Sequence, residues 1–267
     1  MIKVAICGAA GRMGREVLKT VVNAEDMELC AAIDLHQVGS DAGVLLNGTN
    51  LGVKITSDLS ESLTVSGAEV MVDFTDTRSV GANVLTALKA GVRPVVGATG
   101  MSEEEFATIT QMVEHMRLGC IIAPNFTVGA LLMIKFAAEA AKYFPHVEII
   151  ERHHDQKLDA PSGTSIKTAE QILAQRGDFQ QGLSTEEEKI SGVRGGLLPG
   201  GLRIHSVRLP GYVANQEVIF GGTGQVLTIK HDTTSRESFM PGVLVAIRAV
   251  MHKNELIYGL ENVLFDA

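Results

Sequence analysis

The stretch Ile2-Lys3-Val4-Ala5-Ile6-Cys7-Gly8-Ala9-Ala10-Gly11-Arg12-Met13-Gly14 decides the fold. Its first six residues form an apolar run of the length of one buried strand, and Arg12 to Val22 continues with helical spacing. Between them, glycines at 8, 11 and 14 make a GxxGxxG relative of the dinucleotide fingerprint. Gly8 allows a tight turn, Gly11 lets the backbone approach a pyrophosphate, and Gly14 lets the helix pack close to the strand. The helix N-terminus behind the loop offers amides and a partial positive charge to phosphates. Asp34 ends the second strand about 20 residues further on, where a carboxylate can accept both ribose hydroxyls.

Outward from this motif, strand and helix signals alternate. Glu28 to Ile33, Val70 to Phe74, Val92 to Val96 and Cys120 to Ala123 read as strands, Ser79 to Ala90 as a helix, and Leu35 to Gly52 as a loop. Ser102-Glu103-Glu104-Glu105 is a capping box that opens a helix ending near Arg117. The alternation predicts an α/β domain with a parallel sheet and crossover helices, an N-terminal Rossmann dinucleotide-binding domain over residues 1–125.

The character then changes. Val128 to Lys142 reads as an Ala-rich helix, His146 to Glu151 as a strand, Arg152 to Gly163 as a polar loop and Thr164 to Gln175 as a helix. Asp178 to Gly201 is rich in Gly and Glu and reads as a long, mobile loop. Ile204 to Leu209, Glu217 to Phe220 and Val226 to Lys230 are expected as an antiparallel meander, before a last helix over Arg236 to Met251. The second domain is therefore expected over 126–235, an α+β unit with a mixed, largely open sheet.

Composition narrows the function. The chain has 267 residues and a net charge of −8, which argues against nucleic acid and anionic membranes as partners. No apolar run is long enough to span a bilayer. The N-terminus carries no charged-then-apolar signal pattern. Cys7, Cys30 and Cys120 lie in strand-like runs without a CxxC pair, as reduced buried thiols of a cytoplasmic protein do. They are poorly placed to serve as the loop nucleophile of a semialdehyde dehydrogenase. The basic module of a nucleotide-sensing DNA regulator is also missing from the sequence.

The most chemical stretch is Glu151-Arg152-His153-His154-Asp155-Gln156-Lys157-Leu158-Asp159-Ala160-Pro161-Ser162-Gly163-Thr164. His153, His154 and Lys157 can supply protons, and a cation close by attracts an anionic substrate. Gly163 and Thr164 open a helix whose amides suit a substrate carboxylate. Hydride addition to a conjugated C=N or C=C leaves negative charge that a proton must quench. The residues alone leave open whether His153 or Lys157 delivers it. A metal is not expected: adjacent histidines on a strand point to opposite faces, and no third ligand has metal-site spacing. For the cofactor, Asp34 followed by Leu35 favours NADH, since Asp34 would repel a 2′-phosphate; NADPH is tolerated, with Arg12 the available cation.

Taken together, the Gly8 to Gly14 loop, Asp73-Phe74-Thr75, Gly97-Ala98-Thr99-Gly100, Pro124-Asn125-Phe126-Thr127-Val128-Gly129, the Glu151 to Thr164 stretch and His231 through Arg236 resemble the dihydrodipicolinate reductase family. The family is also called 4-hydroxy-tetrahydrodipicolinate reductase and serves bacterial diaminopimelate and lysine synthesis. The pieces run in the family's order over almost the whole chain.

The resemblance implies NAD(P)H-dependent reduction of 4-hydroxy-tetrahydrodipicolinate to tetrahydrodipicolinate. It implies His153 as the catalytic histidine and Lys157 as the proton donor. His154, Gly163, Thr164 and Thr99 would hold the dicarboxylate substrate. Gly8, Ala9, Ala10, Gly11, Arg12, Met13, Asp34, Gly97, Ala98, Thr99, Ala123, Pro124, Asn125 and Phe126 would line the cofactor. It further implies that residues 236–267 return to the first domain, and that the second domain assembles a homotetramer. Two positions depart from the family: Leu35 stands where many members have Arg, and Ala98 replaces a frequent Thr.

Overall fold

The computed structural model describes residues 1–265. The first run of elements is β1 (Ile2–Cys7), α1 (Arg12–Val22), β2 (Met27–Ile33), β3 (Ile55–Thr56), α2 (Leu59–Ser66), β4 (Val70–Asp73), α3 (Val80–Lys89), β5 (Arg93–Val96), α4 (Glu103–Met116) and β6 (Cys120–Ile122). There follow α5 (Val128–Ala141), β7 (His146–His153), α6 (Gly163–Arg176), β8 (Gly196–Leu197), β9 (Arg203–Arg208), β10 (Ala214–Gly222) and β11 (Gln225–Thr233). The chain ends with α7 (Met240–Val250), β12 (Leu256–Tyr258) and α8 (Glu261–Leu264). Its contacts divide it into two units, one of Met1–Thr127 with the described residues from Phe239 on, the other of Val128–Ser238.

In the first unit all strand pairs are parallel, in the order β12-β6-β5-β4-β1-β2-β3. The strands are short apolar runs because both faces of such a sheet are covered. Val4, Ala5, Ile6, Val70, Met71, Val72, Val95 and Val96 are fully buried. Strand order reverses between β1 and β4, which opens a crevice at their carboxyl ends. The predicted capping box at Ser102 and Glu105 is present, with both reciprocal bonds formed. α2, β3 and β12 of this unit escaped the periodicity. α2 lies between a capping Asp58, which accepts from the Glu61 amide at 2.9 Å, and Gly67 in the left-handed region. β12 adds only three residues to the sheet edge. Arg248 on α7 pairs with Asp26 at 2.7 Å, which ties the C-terminal helix to the turn before β2. No helix among the described residues is long and apolar enough to cross a membrane.

In the second unit the strand order is β11-β10-β7-β9-β8. β10 pairs antiparallel with both β11 and β7, but β9 pairs parallel with β7. The expected meander therefore holds only for the β10–β11 hairpin. The sequence between β9 and β10 is short, yet it carries the chain past β7 rather than into a turn, a choice made by the apolar face of the sheet and not by local spacing. Val147, Ile149, Val218 and Phe220 form that face, and Ala169 and Ile172 of α6 are buried with them. The 178–201 segment, expected as a long, mobile loop, is anchored. The Val147 amide donates to Gln181 at 2.9 Å, Gln181 donates back to the Val147 carbonyl at 3.1 Å, and Arg194 pairs with Glu148 at 2.7 Å. β7 also runs two residues further than periodicity suggested, so His153 stands on a strand.

The glycine loop is bound by a hard steric limit. A Cβ at Gly14 would collide with the carbonyl of Gly8 and with Ala9. Gly14→Ala should therefore cost about 1–3 kcal/mol, the usual penalty for overpacking. Denaturant unfolding would read it, and a midpoint unchanged from the parent protein would contradict the close approach.

Candidate functional site

The carboxyl ends of β1, β2, β4, β5 and β6 all deliver chain to one edge of the first sheet. Gly8 leaves β1 at φ 79°, and the amides of Gly8 and Ala9 donate to the Ile33 carbonyl at 2.8 and 3.1 Å. Asp34 accepts from the Ala10 amide at 2.8 Å and from the His36 amide at 2.9 Å. The predicted ribose carboxylate thus lies against the predicted phosphate loop, bonded to it. Its oxygens keep lone pairs for further donors. Leu35 beside it is 82% exposed.

α1 begins at Gly11 with no side-chain cap and no acidic residue in its first turn. Its leading amides are left for an anion. Arg12 is exposed, and Arg15 instead donates to the Ala10 carbonyl at 2.9 Å. On the far side of the switch point, Gly97 donates to the Asp73 carbonyl at 2.9 Å and Ala123 to the Val96 carbonyl at 2.9 Å. A Cβ at Gly97 would run into the Phe74 ring, which stands 5.7 Å from that of Phe126. Ala98 is buried, Thr99 and Pro124 are exposed, and the Asn125 side chain accepts from Thr127 at 2.8 Å. A cavity of about 390 Å³ opens beside Thr99 and Pro124, lined by Met101, Phe106, Ile122 and Tyr258.

Beneath this edge lies Asp73, fully buried. It accepts from the Thr75 amide at 2.8 Å, the Thr75 hydroxyl at 2.6 Å and Asn83 at 2.9 Å. Burial raises its pKa against these bonds. Burial and then Asp73 raise the thiol of Cys7, and burial takes Cys120 up to about 12, so neither is a ready nucleophile.

The second unit carries the His–Lys stretch. Glu151 is wholly buried on β7 and meets His153 Nδ1 at 2.5 Å. Arg208 donates to both of its oxygens at 2.8 Å. Burial pushes the Glu151 carboxyl up, but hydrogen bonds from His153, Arg208 and Ser206 overcome that and bring it down to about 2. An ionised Glu151 makes Nδ1 of His153 the donor and leaves Nε2 as the nitrogen turned to other partners. Arg208 also donates to the Asp159 carbonyl at 2.9 Å, and the Asp159 side chain holds Lys157 Nζ at 2.7 Å. His154 is exposed.

Ser162 caps α6 through the Ser165 amide, so the amides of Gly163 and Thr164 fall in the open first turn. A Cβ at Gly163 would touch nothing. The helix start is fixed from below: Ser165 donates to Gln216 at 2.7 Å, Gln216 to Thr168 at 2.8 Å and Thr168 to the Thr164 carbonyl at 2.7 Å. His231 of β11 lies against Gly129 at the start of α5, where a Cβ would meet its ring at 2.6 Å, and burial lowers its pKa. Among the described residues no group of His, Cys, Asp and Glu could hold a metal ion.

The sequence quoted Glu151 without giving it a role, and it missed Arg208, Asn83 and Gln216. Each acts by pairing across 10 or more residues. The one local signal was the alternation Glu151, His153 on a strand, which puts both side chains on one face.

Known proteins place this geometry. The family described as dihydrodipicolinate reductase, N-terminus, matches residues 2–126, and its C-terminal counterpart matches residues 129–264. A protein of Desulfitobacterium hafniense named 4-hydroxy-tetrahydrodipicolinate reductase is 53% identical over 264 residues, 98% of each chain. One of Moorella thermoacetica with the same name is 51% identical over 263 residues, again 98% of each. A solved structure, a dipicolinate-bound dihydrodipicolinate reductase from Paenisporosarcina sp. TG-14, is 46% identical, covers 98% of this chain and 99% of that one, and superposes with a TM-score of 0.89. Matched over both units, and at half identity along nearly its whole length, the chain belongs to the dihydrodipicolinate reductase family.

Proposed function

We propose that this chain reduces 4-hydroxy-tetrahydrodipicolinate to tetrahydrodipicolinate in diaminopimelate and lysine synthesis, with His153 and Lys157 as its catalytic side chains. In balance, substrate, NAD(P)H and one proton give product, NAD(P)⁺ and water. The observation that carries the reading is the Glu151-held imidazole of His153, joined through Arg208 and Asp159 to Lys157 inside the family's His–Lys stretch.

The glycine-loop edge of the first unit fits a dinucleotide. The uncapped amides of α1 suit a diphosphate, the close Gly8–Gly14 packing admits it, and Asp34 is placed for ribose hydroxyls. Gly8 to Met13, Asp34, Gly97 to Thr99 and Ala123 to Phe126 would hold it. When bound, the reduced nicotinamide supplies a hydride.

The residues of this chain supply the remainder. Gly163 and Thr164 offer amides to one ring carboxylate, with His154 as a further substrate contact. The Lys157 ammonium holds protons at Nζ, and Nε2 of His153 is left free of Glu151 to take or give one. The ammonium stabilises the negative charge that grows on the ring as hydride arrives, and Lys157 or His153 delivers the proton that quenches it. The ligand in the Paenisporosarcina relative's structure, a planar ring dicarboxylate, supports this substrate class. Asp34 with an uncharged Leu35 favours NADH over NADPH. A homotetramer is proposed on the family likeness, and light scattering would measure it.

Mixing protein, NADH and the ring substrate should consume NADH at 340 nm (the usual nicotinamide absorbance). Lys157→Ala should lose about 10²–10⁴ in turnover, the typical worth of a general acid, while binding NADH as before. Normal turnover in that variant would remove Lys157 from the chemistry. Leu35→Arg should raise kcat/KM for NADPH relative to NADH by about 10-fold or more, one new charge-assisted phosphate contact being worth roughly 1.5–3 kcal/mol. An unchanged ratio would show that cofactor choice is made elsewhere.

A further inference from the structure

We propose that Arg208 is the positioning residue of this site: one guanidinium, bonded to Glu151 and to the Asp159 backbone at once, sets both the imidazole of His153 and the ammonium of Lys157. The inference rests on the catalytic reading of those two side chains given above.

The register brings the arginine there. β9 runs parallel to β7, with Ser206 opposite Glu151 and Arg208 opposite His153. From that place its two terminal nitrogens reach three acceptors on two other segments, besides the carbonyl of its neighbour Val207 at 2.8 Å. They donate to Glu151 Oε1 and Oε2, each at 2.8 Å, and to the Asp159 carbonyl at 2.9 Å. The guanidinium is 19% exposed, and Glu151 is not exposed at all. A carboxylate so placed stays ionised only if its desolvation is offset by close donors. Arg208 provides two of them, which leaves the His153 nitrogen to be held in orientation rather than to carry the whole charge.

The second link runs to Lys157. Its partner Asp159 is 65% exposed at the side chain, so their 2.7 Å ion pair is too weak to place the loop by itself. Apolar packing does not place it either, because Leu158 between them is fully exposed. The bond from Arg208 to the Asp159 carbonyl ties this loop to the sheet. A lysine at 208 would keep the charge but has no planar fork to bridge two oxygens and a carbonyl. Arg208 is thus expected to touch neither substrate nor cofactor while fixing both groups that do.

The test uses the whole protein with Arg208→Lys and Arg208→Ala. Proton NMR should show a downfield Nδ1–H signal of His153 held by Glu151, identified by its absence in His153→Asn, and both Arg208 variants should lose or shift it. Turnover should fall by about 100-fold, the scale of a one-ångström misplacement, with the dissociation constant for NADH unchanged. Guanidinium ion at millimolar concentration should restore part of the turnover in Arg208→Ala but none in Lys157→Ala. Arg208→Lys retains the charge, so it serves where the alanine variant does not fold. An Arg208→Lys protein with parental turnover and an unmoved Nδ1–H signal would overturn the proposal. If the parent protein itself failed to turn over the ring substrate, the functional reading would fall, and the NMR result would still judge whether Arg208 orders His153.

Discussion

A carboxylate with no exposed surface must find donors or lose its charge, and Glu151 finds them on three residues. Two bonds come from Arg208, one from His153 and one from Ser206. Replacing such an ion pair by apolar residues often costs nothing in stability, so its value lies in orientation. Here the ionised form dictates that Nδ1 of His153 donates inward. The other nitrogen then points away from the carboxylate, and turning the imidazole over would cost Glu151 that bond. Two other features of the second unit bear on this arrangement. The parallel pairing of β9 brings Arg208 into register, and the Ser165–Gln216–Thr168 chain fixes the helix start that follows.

The first unit solves a different problem with a different kind of sheet. Parallel strands buried on both faces give a rigid edge, and their reversal of order leaves a crevice at the carboxyl ends. Close backbone packing at Gly14 and a carboxylate at Asp34 shape that crevice with few side chains. Beneath it lies Asp73, whose burial and three short bonds knit β4, Thr75 and α3 together. The second unit, by contrast, concentrates ionised groups. In the proposed function, hydride supply and proton supply fall to separate folded units of one chain.

What the sequence could reveal depended on how local each cause was. α1 is found at the residues expected, because a glycine loop and an apolar stripe are both written within a dozen positions. The capping box at Ser102 was equally plain. Asp34 was found through its fixed offset from the loop, and it does bond to Ala10. β3 and β12 are two and three residues long, too short for any periodicity, and exist only because a neighbouring strand offers an edge. α2 could have been found from Asp58, Glu61 and Gly67, which punctuate both its ends. The parallel placement of β9, and with it the meeting of Arg208 and Glu151 across 57 positions, is a decision of the folded sheet. Of the site, the side chains proposed as catalytic stand within five residues of one another and so are legible together, while Arg208, proposed to align them, lies about 50 positions away.

The central claim is that hydride passes from a nicotinamide to a ring dicarboxylate on this chain. Turnover with NADH carrying deuterium at C4 of the nicotinamide, followed by mass spectrometry of the product, tests it most directly. The account predicts that deuterium from one face of C4 appears in tetrahydrodipicolinate, one atom per molecule of NADH consumed. Product formed without deuterium from either C4-labelled epimer, or NADH left unconsumed beside unchanged substrate, would contradict it.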